Sequence, residues 1–198
     1  MKREGDAEMN IAKLFWAMRA VIYKARFRKF GNLSYIGQPL ILEGTKQVEI
    51  GNRVRIYPGI RIEAHGEGGK ITIQDNVSIG QNFHITSSDS ELVIGKDTTI
   101  SGNVFITNID HNYEQIGVHI LKQDYLTKET KIGDNCFIGY GAAIQAGTIL
   151  GKQCIVGANS VVRGEFPDYS IIVGAPARVV KRYNSDSGEW EKIKNNRS

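Results

Sequence analysis

Apolar residues along this 198-residue chain recur every six positions, which neither a 3.6-residue helical period nor simple strand alternation explains. Four blocks carry the pattern. They are Ile50, Ile56 and Ile62; Ile73, Ile79 and Ile85; Ile94, Ile100 and Ile106; then Ile132, Ile138, Ile144, Leu150, Val156 and Val162. Four residues after most of these comes a second, smaller or β-branched residue, as at Val54, Val77, Thr98, Val104, Cys136, Ala142, Thr148, Cys154 and Ser160. Short strand, turn, short strand fits such a unit, and three units close one triangular coil. Successive coils then pair in parallel about 4.8 Å apart, so that like side chains stack up the interior. Gly often follows the aliphatic directly, as at Gly51, Gly80, Gly133, Gly139 and Gly157, and is expected where the chain turns through backbone geometry closed to other residues. The predicted fold is an all-β parallel β-helix whose terminal coils need caps.

The interruptions are as regular as the repeat. Ile62 to Ile73 adds five residues to one period, Ile85 to Ile94 adds three, and Ile106 to Ile132 adds twenty. Each follows a third unit, so the loops are expected at one edge of the prism, with the long loop spanning 107–131. Before the coils, Asn10 to Phe30 reads as a helix with an apolar stripe of Ile11, Leu14, Phe15, Met18, Ile22 and Ala25. The organisation expected is a basic amphipathic helix over 1–30, the β-helix over 31–183, and a polar, poorly ordered tail over 184–198.

Charge bears mainly on the helix. Between Met9 and Phe30 stand Lys13, Arg19, Lys24, Arg26, Arg28 and Lys29, with no acidic residue. The helix either caps the first coil or a neighbouring subunit, or lies on a membrane surface. Nucleic-acid binding is not expected, because no recognition fold accompanies the charge. The net charge of +4 suits an anionic ligand without selecting one. With two cysteines, no CxxC pair, no run long enough to span a bilayer and no leader pattern, a cytoplasmic location is expected, with peripheral contact on the inner membrane face left open. Cys136 and Cys154 should stack inward in adjacent coils.

Candidate chemistry rests on four histidines, His65, His84, His111 and His119. His84 precedes Ile85 directly and should point outward from the coil wall. His111 lies at the root of the long loop, in Thr107-Asn108-Ile109-Asp110-His111-Asn112-Tyr113. A histidine so placed can act as a general base. The two leave the prism at different places and are expected to converge only across a subunit interface. No histidine pair stands five residues apart, against a zinc-dependent γ-carbonic anhydrase-like site, and no metal is expected.

Two stretches carry a resemblance: Lys131-Ile132-Gly133-Asp134-Asn135-Cys136-Phe137-Ile138-Gly139, and the late segment Ile172-Val173-Gly174-Ala175-Pro176-Ala177-Arg178-Val179-Val180-Lys181. Over about 31–183 the chain resembles the hexapeptide-repeat acyltransferases of left-handed β-helix fold, in the branch of sugar and polysaccharide O-acetyltransferases. The resemblance implies acetyl-coenzyme A as cosubstrate, a saccharide acceptor and a homotrimer with the coenzyme between subunits. It makes His111 the base and assigns acceptor binding to the stretch Gln81-Asn82-Phe83-His84, through Asn82 and His84. Gly139, Ala142, Ala158 and Ser160 become coenzyme-groove candidates, with Arg178 and Lys181 near the phosphates. Asn112 stands where the maltose and galactoside enzymes have Pro, and Arg163-Gly164 where the family often has Thr-Lys. The function expected is acetyl transfer to a sugar hydroxyl in cell-surface polysaccharide biosynthesis. The alternatives are an amino-sugar N-acetyltransferase, a serine O-acetyltransferase, or a β-helix scaffold without activity.

Overall fold

A computed structural model describes residues 11–193. Three sheets, seven-, nine- and six-stranded, form the faces of the prism, and within the coils each strand pairs in parallel with its counterpart one coil away. On the first face the register stacks Phe30, Ile50, Ile73, Ile94, Ile132, Leu150 and Phe166. The second face stacks Ile36 through Ile56, Ile79, Ile100, Ile138 and Val156 to Ile172. The third runs from Leu42 to Val162. The repeating aliphatics are buried, as are the smaller residues four positions later. The ladder extends past both ends of the sequence blocks, because Phe30, Ile36, Phe166 and Ile172 continue the columns where the aliphatic spacing lapses. Each fully buried aliphatic contributes about 1.5–3 kcal/mol relative to exposure, so the columns dominate the stability of the prism.

The glycines serve a different purpose from the one expected. Gly51 and Gly139 do not have positive φ. That conformation falls two residues later, on Arg53 (55°), Asn135 (55°) and Gln153 (50°), or on a separate set of glycines such as Gly141. Gly139 is required for close approach instead: a Cβ there would lie 2.6 Å from the backbone nitrogen of Ala158 in the next coil.

The helix is shorter than expected, Ile11–Lys24. Trp16 packs on Tyr35 and Tyr57, with ring centroids 5.8 and 5.7 Å apart. Beyond the helix, Phe27 and Phe30 are buried and close the bottom of the first coil. Phe15, Met18, Val21 and Ile22 face outward, 59–70% exposed. Within the stripe, the side chains of Ile11 and Leu14 lie outside the described residues. At the other end, strand Ala177–Asn184 folds back antiparallel on Ser170–Gly174, and Glu189–Lys192 pairs with it in turn. Part of the expected tail is therefore a hairpin; residues 194–198 lie outside the described residues. Among the described residues no helix is long and apolar enough to cross a membrane.

Candidate active site

The three insertions leave the third face at the same edge, after strands Arg61–His65, His84–Ser88 and Phe105–Thr107. Asn108 ties the third insertion to the second. Its side chain is fully buried; Nδ2 reaches Ser87 Oγ, Ser88 O and Ser90, while Oδ1 accepts from Ser88 N. The long loop then leaves as strand Ile109–His111, which returns antiparallel as Tyr125–Thr127 with His111 opposite Tyr125. Between them Gln123 Nε2 donates to Gln115 O and Val118 O, and its Oε1 accepts from Gln115 N, closing the loop on itself. Asn108 and Gln123 were not singled out from the sequence, although a polar residue at the root of a long insertion is the signal that marks the first.

His111 is exposed, and its ring stands nearly perpendicular to that of Tyr125, with centroids 5.0 Å apart. Its neighbour Asp110 turns to a different partner, Arg163, which donates from Nη1 and Nη2 to the two carboxylate oxygens at 2.8 and 2.7 Å. Lys128 Nζ stands 3.8 Å away. The hydrogen-bonded Arg163 holds the Asp110 carboxyl below the usual carboxylate range. Arg163 also donates from Nε to Gln145. Arg163 therefore fastens the strand that carries His111.

His84 projects outward, as the repeat requires. It lies between Arg61 and Phe105 of the adjoining coils. Its Nε2 is 2.8 Å from Glu63 Oε2, and Arg61 binds the same carboxylate. Glu63 carries no sequence signal: the side chains meet only because the coil register sets residue 61 beside residue 84, across the first insertion. His84 and His111 line one groove of about 500 Å³ on a single chain, with His65, Tyr125 and Gln145 among its walls. The expectation that they converge only across an interface is thus corrected; loop 107–131 folds back over the third face.

The other candidates are dispersed. Asn82 is not among the residues lining this groove. It sits exposed at the corner before the third face with φ 56°, a turn conformation that Asn tolerates well, and donates its N–H to Pro58 O. Gly139 and Ala158 share the same corner one coil apart. Ala142 and Ser160, 1% exposed, point into the coil, and Ser160 Oγ accepts from Gly174 N. As coenzyme-groove side chains these two are corrected: the position that packs the interior cannot also face a ligand outside. Arg178 is exposed and Lys181 partly so, both on strand Ala177–Asn184. His119 accepts from Leu121 N and caps a short turn. Glu43, Glu63 and His65 bring potential ligand atoms within 4.8 Å of one another, but both Glu63 oxygens are held by Arg61, so a cation would have to displace it. Cys136 and Cys154 are buried, and the adjoining Cys154 sulfur together with burial pushes the Cys136 thiol up.

The chain matches known proteins along most of its length. Residues 129–163 match the family profile described as the hexapeptide repeat of succinyl-transferase. A putative lipopolysaccharide biosynthesis O-acetyl transferase of Escherichia coli K12 is 34% identical over 172 residues, covering 82% of this chain and 86% of the relative. A probable acetyltransferase of Mycobacterium tuberculosis is 35% identical over 135 residues, 68% of this chain and 44% of that protein. Among solved structures, an N-acyltransferase from Bacillus cereus in complex with dTDP and coenzyme A superposes with a TM-score of 0.70 at 20% identity, covering 84% of this chain and 90% of that one.

Proposed function

From the premise that the chain belongs to the hexapeptide-repeat acyltransferases of left-handed β-helix fold, we propose that it transfers an acetyl group from acetyl-coenzyme A to a hydroxyl of a sugar, in the building of a cell-surface polysaccharide. The observation that carries the sugar hydroxyl is the 34% identity, over 86% of its length, to a relative named for lipopolysaccharide O-acetylation. In this reading His111 takes the proton from the acceptor hydroxyl as its oxygen attacks the thioester carbonyl carbon. The carbon–sulfur bond then breaks and the proton passes to the departing thiolate. Backbone N–H groups oppose the charge that develops on the carbonyl oxygen. Direct transfer suits a chain whose two thiols are buried. The exposed Ala158 and Arg178, with the backbone at Gly139 and the partly exposed Lys181, are the coenzyme-side candidates that remain.

A second reading is an amino-sugar acceptor, which the fold shared with an N-acyltransferase bound to dTDP-4-amino-4,6-dideoxyglucose and coenzyme A favours. Both readings use one groove and one base, since an amine must also lose a proton. The deciding experiment is an acetyl-transfer screen over oligosaccharides, sugar nucleotides, amino sugars and serine, read as thiol release and product mass. Hydroxylamine then separates the outcomes, because it cleaves an ester and spares an amide. Labile products from neutral sugars support the main reading. Stable products from amino sugars alone replace it with the second, and thermal shift by coenzyme A without transfer to any acceptor removes both.

The proposed assembly is a homotrimer. His111 lies at one edge of the third face and the Gly139–Ala158 corner at the other, so a neighbouring chain is a ready source of the coenzyme side. The outward residues Phe15, Met18, Val21 and Ile22, beside basic Arg19, Lys24 and Arg26, support a helix that rests on anionic membrane.

A further inference from the structure

The groove contains a buried charge that the proposed proton transfer does not use. Arg61 and Glu63 are two residues apart in one strand and so stand on the same outer side. Arg61 donates from Nε to Glu63 Oε2 at 2.5 Å and from Nη2 to Oε1 at 2.8 Å. His84 Nε2 completes the cluster at 2.8 Å from Oε2. The Glu63 side chain is 9% exposed, whereas that of His84 is 32% exposed along the groove. Arg61 first, and His84 after it, hold the Glu63 carboxyl below the usual carboxylate range. A carboxylate has no proton to donate, so His84 Nε2 must be the donor. In its neutral form the ring then keeps its lone pair on Nδ1, which makes no hydrogen bond among the described residues. Turning the ring over would place carbon against a buried charge. Phe105, with its centroid 4.8 Å away, walls the opposite side.

We infer that Glu63 is a positioning residue that fixes His84 as a hydrogen-bond acceptor, so that the groove selects a neutral polyol: one hydroxyl reacts at His111 while another hydroxyl of the same sugar donates to His84 Nδ1. This rests on the sugar-acyltransferase reading and adds the acceptor class. A carboxylate or phosphate offers no proton at that position and is excluded from it. Arg61 neutralises Glu63 without occupying the ring, which leaves the imidazole free to face a ligand.

The test has two arms. In the first, imidazole ¹⁵N resonances of the ligand-free protein are recorded above the histidine titration range, with His84 assigned by loss of its signals in His84→Gln. The Nε2–H tautomer is expected, shifting to a mixture in Glu63→Gln, whose amide can donate as well as accept. In the second, Glu63→Gln should raise the acceptor KM roughly ten- to a hundredfold, with coenzyme A affinity unchanged and a smaller change in kcat. A deoxy acceptor lacking the hydroxyl that His84 reads should lose a similar factor with the unaltered enzyme and nothing more with the variant. If Glu63→Gln does not fold, His84→Gln carries the same comparison. An Nδ1–H tautomer in the unaltered protein, with sugar transfer intact, overturns this inference alone, and so does an unchanged acceptor KM. An Nε2–H tautomer without transfer to any sugar removes the proposed function, and the polyol assignment falls with it.

Discussion

Asn108 and His111 are three residues apart, yet one is fully buried and the other exposed. His111→Ala removes a ring that touches Tyr125 and makes no side-chain hydrogen bond among the described residues. Stability should change by no more than about 0.5 kcal/mol, as for most surface substitutions. Turnover should fall by about 10²–10⁴-fold if the ring is the base, with coenzyme A affinity retained. Steady-state kinetics beside a denaturation curve checks both halves, and near-normal turnover moves the base elsewhere. Asn108→Ala should behave oppositely. It strands Ser88 N inside the protein and frees the loop root, at a cost of about 1–3 kcal/mol in chemical denaturation. No loss of stability would show that the insertions do not need this tie.

At the scale of elements, the strand Ile109–His111 is held to the coil by the Asp110–Arg163 pair, which joins residues 53 apart. Both groups are partly exposed, 26% and 43%, so the pair adds little to global stability, of the order of the 0.2–1 kcal/mol typical of surface pairs. Its effect should appear in position. Arg163→Met is expected to lower kcat several-fold and speed amide exchange in the strand, while the unfolding midpoint barely moves. The pair also predicts an acid limb. Because Arg163 lowers the Asp110 carboxyl, its contribution is present above the unfolded carboxylate range, near pH 4, and is lost as pH falls through the lower folded value. Protection of this strand should therefore weaken below about pH 4 in the native chain and not in Arg163→Met. An identical acid limb in both would refute the clamp. For the helix, the structure sets the useful boundary. Deleting residues 1–24 spares Phe27 and Phe30, which belong to the coil. That deletion should reduce binding to anionic vesicles without abolishing acetyl transfer to a soluble acceptor. Equal vesicle binding by the full and shortened chains leaves the exposed helical face to a protein neighbour.

For the whole molecule, the proposed homotrimer would bring the catalytic candidate of one chain to the coenzyme-side candidates of the next, which lie on opposite edges of one face. Sedimentation should give a mass of about three chains, consistent with closed cyclic symmetry. If it gives a monomer that remains active with saturating ligands, the shared site is wrong. The columns predict where the prism tolerates change. Gly139→Ala sets a Cβ 2.6 Å from the Ala158 backbone, so adjoining coils must move apart, and destabilisation of about 1–3 kcal/mol is expected. Wild-type stability in this variant would mean that the coils can slide more freely than their register suggests.

Much of this architecture was readable from the chain because a solenoid turns packing into a local period: residues one coil apart stack, so spacing along the chain is spacing in the core. Ile50 to Val162, the inward cysteines and the common edge of the insertions all follow from that rule. The period says which residues face outward, but not which outward residues meet. Glu63 reached His84 because the register across an irregular insertion sets residue 61 beside residue 84. Asp110 reached Arg163 because a long loop folded back, and that same fold brought His111 into the groove of His84. Ala142 and Ser160 were misassigned because a family likeness marks a coil while packing decides which side of its wall a residue occupies. The sequence alone therefore determined the prism, its core columns and the place of its loops. Tertiary structure alone decided the charge pairs and the shared groove, because these contacts depend on the register between coils and the path of one insertion, neither of which has a period.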